Sequence, residues 1–218
     1  MAAYDLEEQE QLSELKAWWQ QYGTLVTTVA ALVAVAVVAY QGWNWYQRKQ
    51  AAEAAAVYAI LQKAATERNA KNTAAAAGEL IDKYGRTTYA ALGALVSARV
   101  QFDAGDLGTA KSQLAWAADN ARDEELRDLA RLRLANVLMD EKAYDDALKR
   151  LEKEPLAAYA ARYAELRGDV HAIQDRRAEA RSAYQSALTK LGAEQGGGRG
   201  ANLRELLQLK LDALGDGQ

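Results

Sequence analysis

The chain has no cysteine, one histidine, one proline, one phenylalanine and two methionines in 218 residues. Without cysteine it has no disulfide, zinc-thiolate site, iron-sulfur cluster or thiol nucleophile, and with His171 as its only imidazole it has no two-histidine metal site. With only Pro155 to interrupt them, helices can run long. No strong excess of positive charge exists either, since 27 Lys and Arg stand against 30 Asp and Glu. Five acids, Asp5, Glu7, Glu8, Glu10 and Glu14, face only Lys16 in the first 22 residues, so the remainder is almost neutral and poorly suited to nucleic acid. Half of the residues are hydrophobic and 26% charged, which excludes a disordered chain.

What is present begins with an apolar run. No charged residue falls between Lys16 and Arg48, and Thr24 to Tyr40 reads TLVTTVAALVAVAVVAY. A helix from Tyr22 to Tyr46 would extend about 36 Å, enough to cross a hydrocarbon core of about 30 Å. Trp18, Trp19 and Tyr22 at one end and Trp43, Trp45 and Tyr46 at the other are expected at the membrane interfaces, where amphipathic rings sit at headgroup level. A buried core helix rarely carries aromatics at both ends, and a cleavable signal begins basic with a shorter apolar stretch. An uncleaved anchor over residues 23–46 is therefore expected, after an acidic tail over 1–22. Orientation by charge rests on one residue, Lys16 before the span against Arg48 and Lys49 after it. That slight bias favours the large domain inside and decides nothing by itself.

After residue 46 the composition turns to Ala, Leu, Glu, Lys, Arg and Gln, the strong helix formers. Leu126, Ala130, Leu134 and Leu138 lie four apart on one helical face, with Asp128, Arg131 and Arg133 off it. Breaks are expected at Asn69 to Thr73, Gly85 to Thr87, Gly105 to Gly108, Asp119 to Asp123, Lys142 to Tyr144, Pro155 and Gly168, leaving helices of about 12 to 17 residues. A repeat then emerges. Ala76, Ala110, Ala147 and Ala180 recur at spacings of 34, 37 and 33, each followed four positions later by a large residue, Leu80, Leu114, Leu151 or Tyr184. A small side chain admits a neighbouring helix and the large one packs over it, at the tetratricopeptide period. The expected fold is all-α: one transmembrane helix followed by a tetratricopeptide-like helical-pair solenoid. Its parts are a connecting first helix over 47–72, repeats over 73–192, a glycine-rich loop over 193–201, and a capping helix and tail over 202–218.

The order of parts resembles the YfgM family, the ancillary SecYEG translocon subunits of bacterial inner membranes. The resemblance is carried by TTYAALGALVSARVQFDAGD (87–106), LRLANVLMDEKAYDDALKRLE (132–152), AELRGD (164–169), EARSAYQSAL (179–188) and LLQLKLDAL (206–214), in succession after a single anchor. It implies a cytoplasmic amino terminus, a periplasmic domain, and association with the SecYEG translocon, a PpiD-type periplasmic chaperone and exported client polypeptides. That orientation opposes the slight charge bias.

Catalytic chemistry has little to stand on. A lone His171 beside Asp169 and Asp175 reads as a packing or surface residue, and the adjacent acids Glu124 and Glu125, or Asp145 and Asp146, point apart on a helix and read as helix starts. GGGRG lacks the Lys and Ser or Thr of a phosphate-binding loop. No cofactor, metal or enzymatic activity is expected. In helical-pair arrays the first helix of each pair lines the inner surface, so Arg99, Phe102, Asp103, Asn136, Met139, Asp140, Arg162 and Asp169 are the candidate partner contacts. A cytoplasm-facing scaffold that assembles a complex without binding clients is the alternative function.

Overall fold

The computed structural model describes residues 2–194 and 198–215, and its residues form two compact units, Met1–Gln50 and Ala51–Gln218. Among the described residues every regular element is helical: α1 (Ala2–Thr66), α2 (Ala70–Tyr84), α3 (Thr88–Asp103), α4 (Leu107–Asn120), α5 (Glu124–Asp140), α6 (Tyr144–Arg150), α7 (Ala157–Ile173), α8 (Arg177–Glu194) and α9 (Gly198–Ala213).

The first unit is the amino-terminal part of α1. Its apolar window is long enough to cross a membrane, and only 6% of it is buried. Leu25, Val35 and Val38 are exposed, as no side chain of a soluble core would be. Two of the three threonine hydroxyls in this stretch donate one turn back, Thr27 Oγ1 to the Gly23 carbonyl at 2.8 Å and Thr28 Oγ1 to the Thr24 carbonyl at 2.7 Å. Their donors therefore need no water, which suits a helix solvated by lipid. The rings cluster at the ends of the run: Trp18 and Tyr22 have centroids 5.8 Å apart, Trp43 and Tyr46 6.3 Å, and the Lys49 ammonium lies 5.7 Å over Trp45.

The second unit stacks helices in pairs: the carboxyl-terminal part of α1 with α2, through a shared cluster of Ala54, Leu61, Ala77 and Leu80, then α3 with α4, α5 with α6, and α7 with α8. The four periodic alanines all fall on the second helix of a pair and all are buried, as are Leu80, Leu114, Leu151 and Tyr184. The backbone carries the same repeat. Arg68, Gly105, Lys142 and Asp175 adopt left-handed φ values of 53°, 84°, 62° and 57°, each in the turn inside a pair. In each turn the next residue's amide reaches five positions back, Asn69 to Ala64, Asp106 to Gln101, Ala143 to Leu138 and Arg176 to His171, at 2.8 to 2.9 Å. This ending of a helix normally takes glycine, and here only one of the four has it, so the turn signal is nearly invisible in sequence. Side-chain caps open two of the helices that follow, α2 and α4, with Asn69 Oδ1 accepting from the Asn72 amide and Asp106 Oδ1 from the Thr109 amide, both at 3.0 Å.

Four expectations are corrected. Gly168 does not break a helix but lies inside α7, where a Cβ would collide with the Tyr184 ring, so the missing side chain makes room for α8. The break falls at 174–176 instead. The first break is at 67–69, and Thr73 is buried within α2. The helix lengths extend beyond the expected range: α6 has 7 residues, ending before Pro155 disfavours helical backbone, and α8 has 18. α8 also runs to Glu194 and α9 starts at Gly198, inside the stretch expected to be a loop; the rest of that expected loop, 195–197, lies outside the described residues.

Asp128, placed off the apolar face by its spacing, is fully buried. Arg131 Nη1 donates to its Oδ1 at 2.9 Å, the Leu156 amide donates to its Oδ2 at 2.8 Å, and the Tyr163 hydroxyl donates to its backbone carbonyl at 2.9 Å. Burial, together with the Asp128 charge, pushes the Tyr163 hydroxyl well above the ordinary tyrosine range. The carboxylate thus pins the loop after α6 and the start of α7 onto α5. At the far end Lys210 Nζ donates to Glu165 at 2.9 Å and to Asp169 at 2.7 Å, holding α9 against α7. Burial lowers the Lys210 pKa, but its bonds to Asp169 and Glu165 outweigh that and raise it overall.

Candidate partner-binding groove

Side chains of α3 and α5, with Leu114 of α4 behind them, enclose a groove of about 400 Å³. Its floor is apolar, formed by Ala98, Leu114 and Val137, and the ring of Phe102 forms an exposed wall. Five of the eight candidate residues meet here: Arg99, Phe102 and Asp103 from α3, and Asn136 and Asp140 from α5. Their convergence follows from helix geometry, because positions three, four and seven apart share a face.

The polar rim is only partly paired. Arg99 Nε donates to both carboxylate oxygens of Asp103, at 3.0 and 2.9 Å, one turn apart on α3. Asn136 Nδ2 donates to the Leu132 carbonyl at 2.9 Å, which leaves its Oδ1 to accept. Arg133, a groove residue the sequence reading did not select, has no ion pair among the described residues, and neither does Asp140. Partial desolvation, then the neighbouring Arg99 charge, pushes the Arg133 guanidinium below the ordinary arginine range, while Tyr159 acts the other way. The signal that would have found Arg133 is its place three and seven residues before Asn136 and Asp140.

The other three candidates are elsewhere. Met139 is partly buried and packs against the core rather than lining the groove. Arg162 Nη1 donates to Glu165 at 2.9 Å. Asp169 accepts from Lys210 and from the Tyr184 hydroxyl at 2.8 Å, so it joins the contacts that hold the cap. His171 lines a separate hollow with Arg167, Glu179 and Ser182, and burial lowers its pKa. Glu124, Glu125, Asp145 and Asp146 occupy the first turns of α5 and α6, where acids suit the helix dipole. Among the described residues no cluster of His, Asp and Glu could hold a metal ion.

Paired helices at the tetratricopeptide spacing, an open groove between first helices and an exposed apolar helix at the amino terminus define a tetratricopeptide-like protein carrying one candidate membrane span. A family model described as a tetratricopeptide repeat-like domain matches residues 16–216. The ancillary SecYEG translocon subunit of Neisseria gonorrhoeae is 36% identical over 218 residues, covering 98% of this chain and 100% of that protein. The proteins of the same name in Escherichia coli K12 and Haemophilus influenzae are 28% and 26% identical, covering 95% and 85% of this chain and 96% and 90% of their own lengths. The chain belongs to this family, the YfgM family of ancillary SecYEG translocon subunits.

Proposed function

We propose that this chain is a non-enzymatic, membrane-anchored interaction subunit of the Sec translocon that supports export or early periplasmic folding of newly translocated proteins. The observation that carries the reading is one exposed apolar helix joined in the same chain to a helical-pair array with an open, partly unpaired groove, in a family whose relatives bear the translocon's name. Residues 23–46 cross the inner membrane, the acidic tail is cytoplasmic and the repeat domain is periplasmic. Trp18, Trp19, Tyr22, Trp43, Trp45 and Tyr46 sit at the two interfaces. The partners are SecYEG, a PpiD-type chaperone and exported client polypeptides.

Mechanistically the anchor works by concentration. Confining the domain beside the translocation channel turns a weak contact into a nearly intramolecular one, so a shallow groove suffices. The single basic residue by which Arg48 and Lys49 exceed Lys16 favours a second reading, a cytoplasmic scaffold.

The absence of cysteine makes the test clean. Ser13→Cys in the tail and Ser112→Cys on α4 replace exposed serines and create the chain's only thiols. In cells with a permeabilised outer membrane, a membrane-impermeant maleimide is expected to label Ser112→Cys at once and Ser13→Cys only after lysis. The reverse pattern would establish the cytoplasmic scaffold and end the export reading.

A further inference from the structure

The groove between α3 and α5 carries more information than its existence. Its charges divide into a closed set and an open set. Arg99 and Asp103 neutralise one another on α3, whereas Arg133 and Asp140 on α5 each face the groove without an ion pair among the described residues. Seven residues separate them, about 10.5 Å along a helix, and Val137 and the exposed Phe102 lie between and opposite. The pattern is an apolar seat with a cation at one end and an anion at the other.

Resting on the interaction role proposed above, we propose that this groove takes one amphipathic helix of a partner protein, with an acidic side chain on Arg133, apolar side chains three and four positions along on Phe102 and Val137, and a basic side chain seven positions along on Asp140. A helix fits better than an extended segment for two reasons. Its charged positions repeat at the same i, i+3, i+4, i+7 intervals as the row on α5, so both ends engage together. An extended backbone would also lay its own donors and acceptors on the apolar floor of Ala98, Leu114 and Val137, whose side chains offer them no partner, whereas a helix bonds its own backbone. The volume of about 400 Å³ admits side chains from one helix face and not a whole helix. Like-charged partner faces are disfavoured, because one of the two rim charges would meet its own sign.

The test uses the full chain in lipid nanodiscs and three fluorescent alanine-based helical peptides. Each carries two adjacent leucines three and four positions after the first of two charged sites seven apart; the pairs are Glu with Lys, Glu with Glu, and Lys with Lys. The Glu–Lys peptide is expected to bind about fivefold more tightly than either like-charged peptide, the worth of one exposed ion pair. Arg133→Glu should move the preference to the Lys–Lys peptide and Asp140→Lys to the Glu–Glu peptide. Both side chains are on the surface, and a switch of preference cannot arise from lost folding. Equal affinity for the three peptides, or a preference that neither variant moves, overturns the assignment. A crosslink from Phe102 to the translocon that survives such a result would leave the export reading standing and remove only this one; loss of periplasmic labelling with the peptide preference intact would do the opposite.

Discussion

Removing the Asp128 carboxylate should destabilise the repeat domain more than removing any exposed charge. Its side chain is about 1% exposed and takes two hydrogen bonds, one from the 14%-exposed Arg131 and one from the Leu156 amide. Asp128→Ala leaves a guanidinium and a backbone donor without their acceptor inside the core, for which about 3 to 4 kcal/mol is expected. At about 2 to 4 °C per kcal/mol for a domain of this size, the melting temperature should fall by about 6 to 16 °C. Asp128→Asn keeps an acceptor and the shape while losing the charge, and about 1 to 2 kcal/mol is expected. Asp103→Ala removes an equal charge from an exposed pair and should cost under about 1 kcal/mol. The assay is circular dichroism of the full chain in detergent, following helix loss with temperature. A melting temperature for Asp128→Ala within about 2 °C of that for Asp103→Ala would refute the claim that this carboxylate ties α7 to α5.

Two further outcomes follow from the turns and from the one histidine. Lys142 holds a left-handed φ of 62° that glycine adopts without strain, so Lys142→Gly should raise stability by about 0.5 to 1 kcal/mol, whereas the same change at the exposed helical Lys83 should lower it by about 1 kcal/mol; denaturant midpoints check both. Burial lowers the His171 pKa below its unfolded value of 6.5, so folding favours the neutral ring: that contribution is complete above about pH 6.5 and is lost as pH falls through the lower folded value. The wild-type melting temperature should therefore drop between pH 7.5 and 5.5 more than that of His171→Asn, and identical slopes would show that the ring does not sense folding.

The two levels of information divided along physical lines. The span was legible because a bilayer demands an unbroken apolar length, which is a property of consecutive residues, and its flanking rings are read in the same way. The repeat was legible because close packing of neighbouring helices selects a small residue every 33 to 37 positions, with a large one after it. Five of the eight groove candidates came together because they share two helical faces, which periodicity alone defines. What the sequence left undetermined depends on which helix lies against which. Gly168 reads as a breaker until Tyr184 is seen filling its place. Asp128 reads as a solvated charge until α7 covers it. Arg68, Lys142 and Asp175 bear no mark of the left-handed turns they occupy, since the packed pairs impose that conformation on residues that would not choose it alone. Local pattern fixed the elements and their period; only tertiary contact decided which charges were closed within the fold and which, Arg133 and Asp140, were left facing outward.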